Sequence, residues 1–295
     1  MKKQTKCYLT IVMGMLLMAM AGCKSQKSTD QALQMIDAAQ KSKDYSQMMF
    51  LTDSLETEGD LLPSTANYWR GYASDRLKQK QDAASYWAKA LEAAEKSTGD
   101  EDISIYVKSA SRLANQLCLS GNYESTLQMA LPVVARLEEL KCDTTSDYVN
   151  LLIYIGLSQI STGQSEEEAQ QGFIRACEKH RQNIDRNHSD NAYKDAIAGL
   201  VNIAYYCVKA QKYEPALYYT RNFGELLIEY EQRRGVDSAY IDRQIGRFTI
   251  YKAKALKCLD RKEEADKTYE AFLTTKFSKS SEGQTLANDY MAAEQ

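Results

Sequence analysis

The segment WRGYASDRLKQKQDAASYWAKALEAAEK, residues Trp69–Lys96, decides the fold. It holds two stretches of helical character on either side of a short polar turn. In the second stretch Ala83, Trp87 and Ala90 are spaced by four and three residues, so they share one face of a helix. Gly71, in the first stretch, has no side chain and allows the two helices to approach closely. The segment therefore predicts a pair of packed helices joined by a tight turn.

A second segment, LANQLCLSGNYESTLQMAL (Leu113–Leu131), has the same order of helix, polar turn and helix. Both segments resemble the tetratricopeptide repeat, a helix-turn-helix unit of about 34 residues with the signature W-x₂-L-G-x₂-Y…A-x₃-F. The residues that match the family are Gly71, Ala83, Trp87 and Ala90 in the first segment, and Leu113, Ala114, Gly121 and Tyr123 in the second. The resemblance implies an all-α chain of antiparallel helix pairs.

Further copies of this pattern follow along the chain, and a weaker copy precedes it. They comprise Ile36, Tyr45, Met48 and Leu55; Gly156, Ala169, Phe173 and Ala176; Ala204, Tyr213, Ala216 and Phe223; and Ala253, Ala265, Tyr269 and Phe272. The position that packs the second helix on the first falls at residues 48, 83, 126, 169, 216 and 265, and the fourth copy has one residue inserted in its turn. For residues 30–295 we therefore expect a right-handed helical solenoid of about six repeats and a terminal helix.

The terminal helix is predicted at residues 283–295, with Leu286, Ala287, Tyr290 and Met291 on one face. Two interpretations of it remain open. It caps the last apolar face of the solenoid, or it is the first half of a seventh repeat in a longer chain.

The N-terminus has the order of a secretory signal. Three lysines precede a mostly apolar run, Tyr8–Ala21, which is shorter than the roughly 20 residues that a membrane-spanning helix needs. The run ends in Met-Ala-Gly-Cys, residues 20–23, which resembles the lipobox of bacterial lipoproteins. In that family the cysteine is acylated and becomes the first residue of the mature chain.

This resemblance implies a signal peptide at residues 1–22, a lipid anchor on Cys23 and a polar tether at residues 23–29. Lys24 follows the cysteine, and by analogy with the family it favours the outer membrane, on the side facing the periplasm. The alternative is an ordinary signal peptide in which Cys23 is incidental.

Composition excludes some classes of protein. Without residues 1–22 the chain has 34 basic and 40 acidic residues, which argues against a nucleic-acid partner. Only 3 prolines and 14 glycines occur, too few for a loop-rich or β-rich chain. Beyond Cys23 five cysteines remain, an odd number without a C-x-x-C pair, so we interpret most of them as small buried residues rather than a disulfide framework.

No catalytic motif is present, and we expect no enzymatic activity, cofactor or metal. The only two histidines, His180 and His188, are eight residues apart, and we place them in a solvated loop between repeats. The acidic run Glu166–Glu168 suits the positive end of a helix. The 20 tyrosines, against 6 phenylalanines, suit half-buried helix interfaces.

The family resemblance implies a binding groove lined by the first helices of the repeats. The residues at the groove-facing positions are Tyr68, Tyr72, Arg76, Lys108, Asn115, Ile153, Leu157, Ile160, Tyr205, Lys209, Arg247, Lys254 and Lys257. The groove would change from aromatic to apolar to basic along the chain. Its basic end suits a carboxylate or an acidic peptide, although long basic side chains also serve solubility alone.

We therefore expect a lipid-anchored scaffold that binds a protein or peptide partner at the bacterial cell envelope. The alternative is an extracytoplasmic input domain of a larger signalling protein, such as a sensor kinase or regulator, because similar repeats occur there. A glycan-uptake lipoprotein is a weaker alternative, since that family has long tryptophan-rich loops and this chain has two tryptophans and regular spacing.

Overall fold

The computed structural model describes residues 30–164, 166–233 and 235–293, without the side chains of residues 166–169. The predicted signal peptide, Cys23 and the tether lie outside these residues. The described chain is all-α and contains no β-strand. None of its helices combines the length and the apolar character that crossing a membrane requires.

The helices follow one another through short connections. In chain order they are α1 (residues 30–42), α2 (Tyr45–Thr57), α3 (Pro63–Arg76), α4 (Lys80–Ala94), α5 (Asp100–Leu119), α6 (Tyr123–Glu139), α7 (Ser146–Ser161), α8 (Glu166–Asn187), α9 (Asp190–Lys209), α10 (Thr220–Glu231), α11 (Ser238–Cys258), α12 (Lys262–Thr274) and α13 (Ser281–Ala292). Two short 3₁₀ turns, Pro215–Leu217 and Phe277–Lys279, precede α10 and α13.

The six turns that follow α1, α3, α5, α7, α9 and α11 share one backbone conformation, which also occurs after α2 and α6. Each of the six has a residue with positive φ within two residues of the helix end; these residues are Lys43, Lys78, Gly121, Gly163, Gln211 and Asp260. The next residue in each turn donates its N–H to the carbonyl five positions back, as Gln79 does to Ser74 at 2.8 Å. This is the Schellman motif, which ends a helix by satisfying its last carbonyls. The same turn therefore recurs between the two helices of every predicted repeat.

These turns fix the register of the repeats. The predicted packing position lies five residues after the positive-φ residue at residues 48, 83, 126, 216 and 265, and six residues after it at residue 169, as the predicted insertion requires. Met48, Ala83, Thr126 and Ala265 are completely buried, and Ala216 is 3% exposed. The predicted packing positions are therefore buried at these five sites, and two α-helices flank the turn at four of them, Ala216 being the exception.

Contacts divide the chain into two units, with the boundary between Leu113 and Ala114 inside α5. In the first unit α3 packs on α2 and α4. Gly71 of α3 faces Trp87 of α4 so closely that an added methyl group would lie 2.5 Å from the indole ring. The core of this unit is apolar and includes Ile36, Met48, Leu55, Leu61 and Ala66.

In the second unit the odd-numbered helices contact one another in series, α7 with α9, α9 with α11 and α11 with α13. The even-numbered helices α8 and α12 pack on α7 and α11. A close backbone approach joins α7 and α8, where a methyl group at Gly172 would lie 2.3 Å from the carbonyl oxygen of Leu152 and 2.4 Å from the amide nitrogen of Gly156. Two helix backbones are in contact here without intervening side chains.

The structure corrects two details of the sequence analysis. The second helix of the fifth repeat is interrupted, because its first turn is the 3₁₀ segment Pro215–Leu217 and α10 begins only at Thr220. On α13 Tyr290 is buried and Leu286 is half-buried, but Met291 is 52% exposed, so the predicted apolar face is only partly covered.

Candidate functional site

The predicted groove residues of the second unit converge on a pocket, called pocket A here, where α9, α11 and α13 meet. It has a volume of about 190 Å³. Its lining residues are Tyr205, Val208, Lys209, Gln211, Tyr213, Ile250, Tyr251, Lys254, Leu286 and Asp289. Three of these, Tyr205, Lys209 and Lys254, are residues that the repeat resemblance assigned to the groove.

A second pocket, called pocket B, lies on the other side of Tyr205 and Lys209. It has a volume of about 250 Å³ and is lined by Cys118, Leu119, Tyr123, Leu157, Tyr205, Tyr206, Lys209 and Ala210. Pockets A and B thus share two residues of α9, which separate them. Leu157, a predicted groove residue of α7, belongs to pocket B.

The wall between the pockets is built from tyrosines. The ring of Tyr205 packs edge-on against Tyr206 with 4.9 Å between centroids, and it lies 5.5 Å from the ring of Tyr251. Tyr206 in turn packs against Tyr154 at 5.2 Å, and the two hydroxyl oxygens are 3.0 Å apart. Rings on three helices contact one another in this way, so the wall has this arrangement without a bound partner.

The two lysines give the surface its charge. Lys209 is exposed and Lys254 is half-buried, and within the described residues neither ammonium group forms an ion pair. Asp289 is the one carboxylate among the residues that line the two pockets. The pockets therefore combine apolar and aromatic walls with two amines that have no carboxylate within salt-bridge distance.

Other predicted groove residues are used inside the protein. The ammonium group of Lys257 donates to the backbone carbonyl of Tyr290 at 3.1 Å and lies 4.3 Å from the centroid of that ring. Arg247 lies 3.5 Å from a carboxylate oxygen of Glu282. Ile153 is 1% exposed and belongs to the core of α7. These residues hold helices together and contribute little to an open surface.

Ile160, at the end of α7, and Asn115, in α5, are half-buried and lie outside both pockets. The buried Oδ1 of Asn115 has no hydrogen-bond partner among the described residues. The structure therefore brings Leu157, Tyr205, Lys209 and Lys254 together around the two pockets. Ile160 and Asn115 lie apart from them.

In the first unit the predicted residues form a separate aromatic cluster. Tyr68 is buried, whereas the hydroxyl of Tyr72 accepts hydrogen bonds from Gln40 and from the guanidinium group of Arg76, each at 3.1 Å. The bond to Tyr72 raises the pKa of Arg76 further above its usual value. Lys108 is half-buried on α5. This cluster has polar groups at its edge, but its cation Arg76 is hydrogen-bonded to Tyr72, whereas the two lysines of pocket A form no ion pair within the described residues.

Seven residues of pocket A were not predicted to line the groove, among them Tyr213, Tyr251 and Leu286. Tyr251 could have been found, because it lies four residues after Arg247 and three before Lys254 on one helix face. Tyr213 comes shortly after the end of α9, whereas Leu286 belongs to the terminal helix and reaches the pocket only because α13 packs on α11.

His180 lies in a third pocket and corrects another prediction. It is part of α8 and is 8% exposed, not in a solvated loop. A methyl group on Gly199 of α9 would lie 2.2 Å from its Nε2, and that nitrogen has no hydrogen-bond partner among the described residues. Burial lowers the pKa of His180 to about 4. The surrounding pocket has a volume of about 260 Å³ and also includes Cys177 and Arg181.

The five cysteines in the described part of the chain are free thiols with different surroundings. Cys118 and Cys207 are buried, as predicted for small core residues, and burial raises the pKa of both. Burial also raises the pKa of Cys177 to about 12. Cys258, at the end of α11, is exposed, so the interpretation as a buried residue is wrong there. In the described part of the chain no three potential ligands are grouped as a metal site would require.

No protein-family model and no curated protein matches the chain.

Proposed function

We propose that this chain is a lipid-anchored scaffold of tetratricopeptide type that binds a segment of a partner protein at the bacterial cell envelope. The observation that carries the proposal is the pair of adjoining pockets on the odd-numbered helices, with Tyr205 and Lys209 between them. Pockets of about 190 and 250 Å³ are smaller than the roughly 300–1,000 Å³ typical of sites for whole small molecules. They suit single side chains of a peptide.

The recurring turn and the buried packing positions support the repeat assignment. In this proposal the helix pairs stack as a right-handed solenoid, and the odd-numbered helices line its groove. The signal-like N-terminus and Cys23 support the anchor, because multiple acyl chains bind a bilayer almost irreversibly, at about 0.8 kcal/mol per buried CH₂.

Site-specific photocrosslinking in the native bacterium tests the binding site. A benzophenone amino acid at Tyr213, in pocket A, should give a discrete adduct with one partner protein. The matched control is Arg221 on α10, whose side chain is 89% exposed and lies outside the pockets described above. Adducts of equal yield at both positions, or none at Tyr213, would contradict the proposed site.

Mass spectrometry of the mature N-terminus tests the anchor separately. An acylated Cys23 as the first residue is expected, and Cys23→Ser should leave the membrane fraction while keeping its helical circular dichroism. An unmodified Cys23 would exclude the lipoprotein part of the proposal.

A second candidate function is an input domain of a signalling protein. The observation that favours it is a pair of large apolar side chains on the last two helices, Leu273 at 50% and Met291 at 52% exposure. Helices α12 and α13 are in contact, because the rings of Tyr269 and Tyr290 stack at 4.3 Å. A further helix could cover these side chains. Sequencing the gene beyond codon 295 distinguishes the two candidates, since the input domain requires an open reading frame that continues into a membrane segment.

A further inference from the structure

We infer that the first helix pair lies against the lipid bilayer with the side of α1 and α2 that is turned away from α3, and that Phe50 and Met35 enter the bilayer interface there. This inference rests on the proposed function, since it takes an acylated Cys23 as the anchor. Three observations lead to it, and they concern the exposure of the two side chains, the charge around them and their distance along the chain from Cys23.

Two large apolar side chains of the first helix pair are accessible to solvent. Phe50 of α2 is 71% exposed, the highest value among the large apolar side chains of the described residues, and Met35 of α1 is 47% exposed. The two helices meet at the turn around Lys43, and each side chain lies seven or eight residues from it, about 10–12 Å along its helix. Phe50 and Met35 are therefore at the same level of the helix pair.

Contacts with α3 show which sides of the two helices are covered. Gln40 of α1 donates to the hydroxyl of Tyr72 at 3.1 Å, and Glu56 of α2 pairs with Arg70 at 2.6 Å; both partners belong to α3. The two exposed apolar side chains lie about 140° around α1 from Gln40 and about 120° around α2 from Glu56, since each residue advances about 100°. Both are therefore on the side of the pair that is turned away from α3.

The surroundings of the two side chains carry little charge. Residues three and four positions away are neighbours on a helix surface. For Met35 these positions hold only uncharged residues, namely Gln31, Ala32, Ala38 and Ala39. Phe50 has one charged residue at these positions, Asp53, whose carboxylate forms an ion pair with Arg70 at 2.7 Å. An unpaired charge would oppose contact with lipid chains, and neither side chain has one beside it on its helix.

The distribution of charge along the whole chain favours the same orientation. Residues 23–44 contain four basic and three acidic side chains, whereas residues 45–295 contain 30 basic and 37 acidic ones. A bilayer surface that includes anionic lipids attracts basic segments and repels acidic ones. The first helix therefore belongs to the end of the chain that such a surface repels least.

The anchor holds the first helix pair close to the bilayer. Seven residues, 23–29, precede α1, and a chain of that length spans at most about 25 Å. This reach is similar to the length of the pair itself, since the 13 residues of α2 rise about 20 Å. The apolar face of an interfacial helix enters the boundary of headgroups and acyl chains by about 5–10 Å, and Phe50 and Met35 present such a face. The anchoring bilayer is therefore the occupant that we assign to this side.

Photocrosslinking to lipid tests the inference. The full chain, with acylation of Cys23 verified by mass spectrometry, is reconstituted in vesicles of phosphatidylethanolamine and radiolabelled phosphatidylglycerol, and a benzophenone amino acid replaces Phe50. The matched control has the same amino acid at Ile228 of α10, which is 58% exposed but has Glu225 and Glu231 as helix neighbours. We expect a lipid adduct at residue 50 in roughly fivefold higher yield than at residue 228, because only the first position enters the interface. Equal yields at the two positions would overturn the inference.

A variant of the second side chain tests whether the two act together. With the benzophenone at residue 50, Met35→Glu should lower the yield of lipid adduct roughly threefold or more, because it places an unpaired charge in the interface. The conservative control Met35→Leu should leave the yield unchanged. Met35 is exposed, so circular dichroism should show the same helical content for both variants. A yield that Met35→Glu does not lower would overturn the assignment of α1 to the bilayer.

The outcomes separate this inference from the proposed function. An acylated chain that crosslinks a partner at Tyr213 but gives no excess of lipid adduct at residue 50 would leave the function standing and overturn the inference. Adducts between two copies of the chain at residue 50, in place of lipid adducts, would overturn it as well, because the occupant would then be a second copy. An unmodified Cys23 would remove the anchor and with it both the lipoprotein part of the function and this inference.

Discussion

Replacing Gly172 with alanine tests a direct contact between two helix backbones. Gly172 lies in α8, where the added methyl group would be 2.3 Å from the carbonyl oxygen of Leu152 and 2.4 Å from the amide nitrogen of Gly156. Both atoms belong to the backbone of α7, so no side-chain rotation can relieve the overlap. The two helices would have to separate by roughly 1 Å for the contact to become an ordinary one near 3.4 Å.

The net change in the free energy of unfolding is the difference between a gain in helix propensity and a cost of overpacking. Glycine in the middle of a helix is about 1 kcal/mol less favourable than alanine, so the substitution gains that amount from helix propensity. Overpacking costs typically 1–3 kcal/mol, and an overlap between two backbones belongs at the upper end of that range. We expect Gly172→Ala to lower the free energy of unfolding by about 2 kcal/mol.

Gly224 in α10 is the matched control, because a methyl group there would meet nothing within 4 Å. Gly224→Ala should gain the propensity term alone, about 0.5–1 kcal/mol. Circular dichroism at 222 nm should place the melting temperature of Gly172→Ala roughly 4–8 °C below the parent and that of Gly224→Ala a few degrees above it. If Gly172→Ala melts at or above the parent temperature, the backbone contact between α7 and α8 is wrong.

Ala83→Leu and Ala216→Leu should each lower the free energy of unfolding by about 1–3 kcal/mol, because both positions are buried, whereas the exposed control Glu92→Gln should stay within about 0.5 kcal/mol in urea titrations. Equal shifts for all three would mean that the packing positions are misassigned. His180 has a pKa of about 4 in the folded chain against 6.5 when exposed, so the unfolded chain binds more protons between these values. The contribution of neutral His180 to the free energy of unfolding is therefore complete above pH 6.5. It is lost as the pH falls towards 4, which lowers the free energy of unfolding by up to about 3 kcal/mol. His180→Leu should flatten that part of the stability profile, and an unchanged slope would exclude His180 as its source. Tyr290→Ala removes a 2%-exposed ring and should cost about 3–5 kcal/mol in the same titrations, and a loss below about 1 kcal/mol would mean that α13 is not firmly packed.

The repeating local structure could be predicted because each part of it depends on neighbours in the sequence. A polar turn followed by a buried packing position leaves a periodic trace in the amino-acid sequence, which in some repeats includes an aromatic residue one helical turn later, such as Trp87 after Ala83. Gly71 illustrates this, since its lack of a side chain predicted a close approach of two helices, and a methyl group added there would lie 2.5 Å from the indole ring of Trp87. Even the extra residue in the fourth turn was visible in the spacing.

The sequence could not predict which side chains bind a neighbouring helix and which remain at the surface, because this depends on which helices pack together. Lys254 and Lys257 are three residues apart on α11, and the sequence assigns both to the groove. The structure leaves Lys254 without an ion pair and directs Lys257 to the carbonyl of Tyr290. His180 likewise has polar neighbours in sequence, but Gly199 of the next helix leaves room for its ring in the interior.

The recurring Schellman turn has a consequence for how fast the chain folds. Its hydrogen bonds join residues only three or five positions apart, as Lys78 to Asp75 and Gln79 to Ser74. Each helix pair can therefore set its own alignment before distant parts of the chain meet, which corresponds to a low contact order. Proteins dominated by local contacts fold in microseconds to milliseconds, roughly, whereas those that depend on distant strand pairing take up to seconds. For the envelope lipoprotein proposed above, which would fold only after export, that speed would be an advantage.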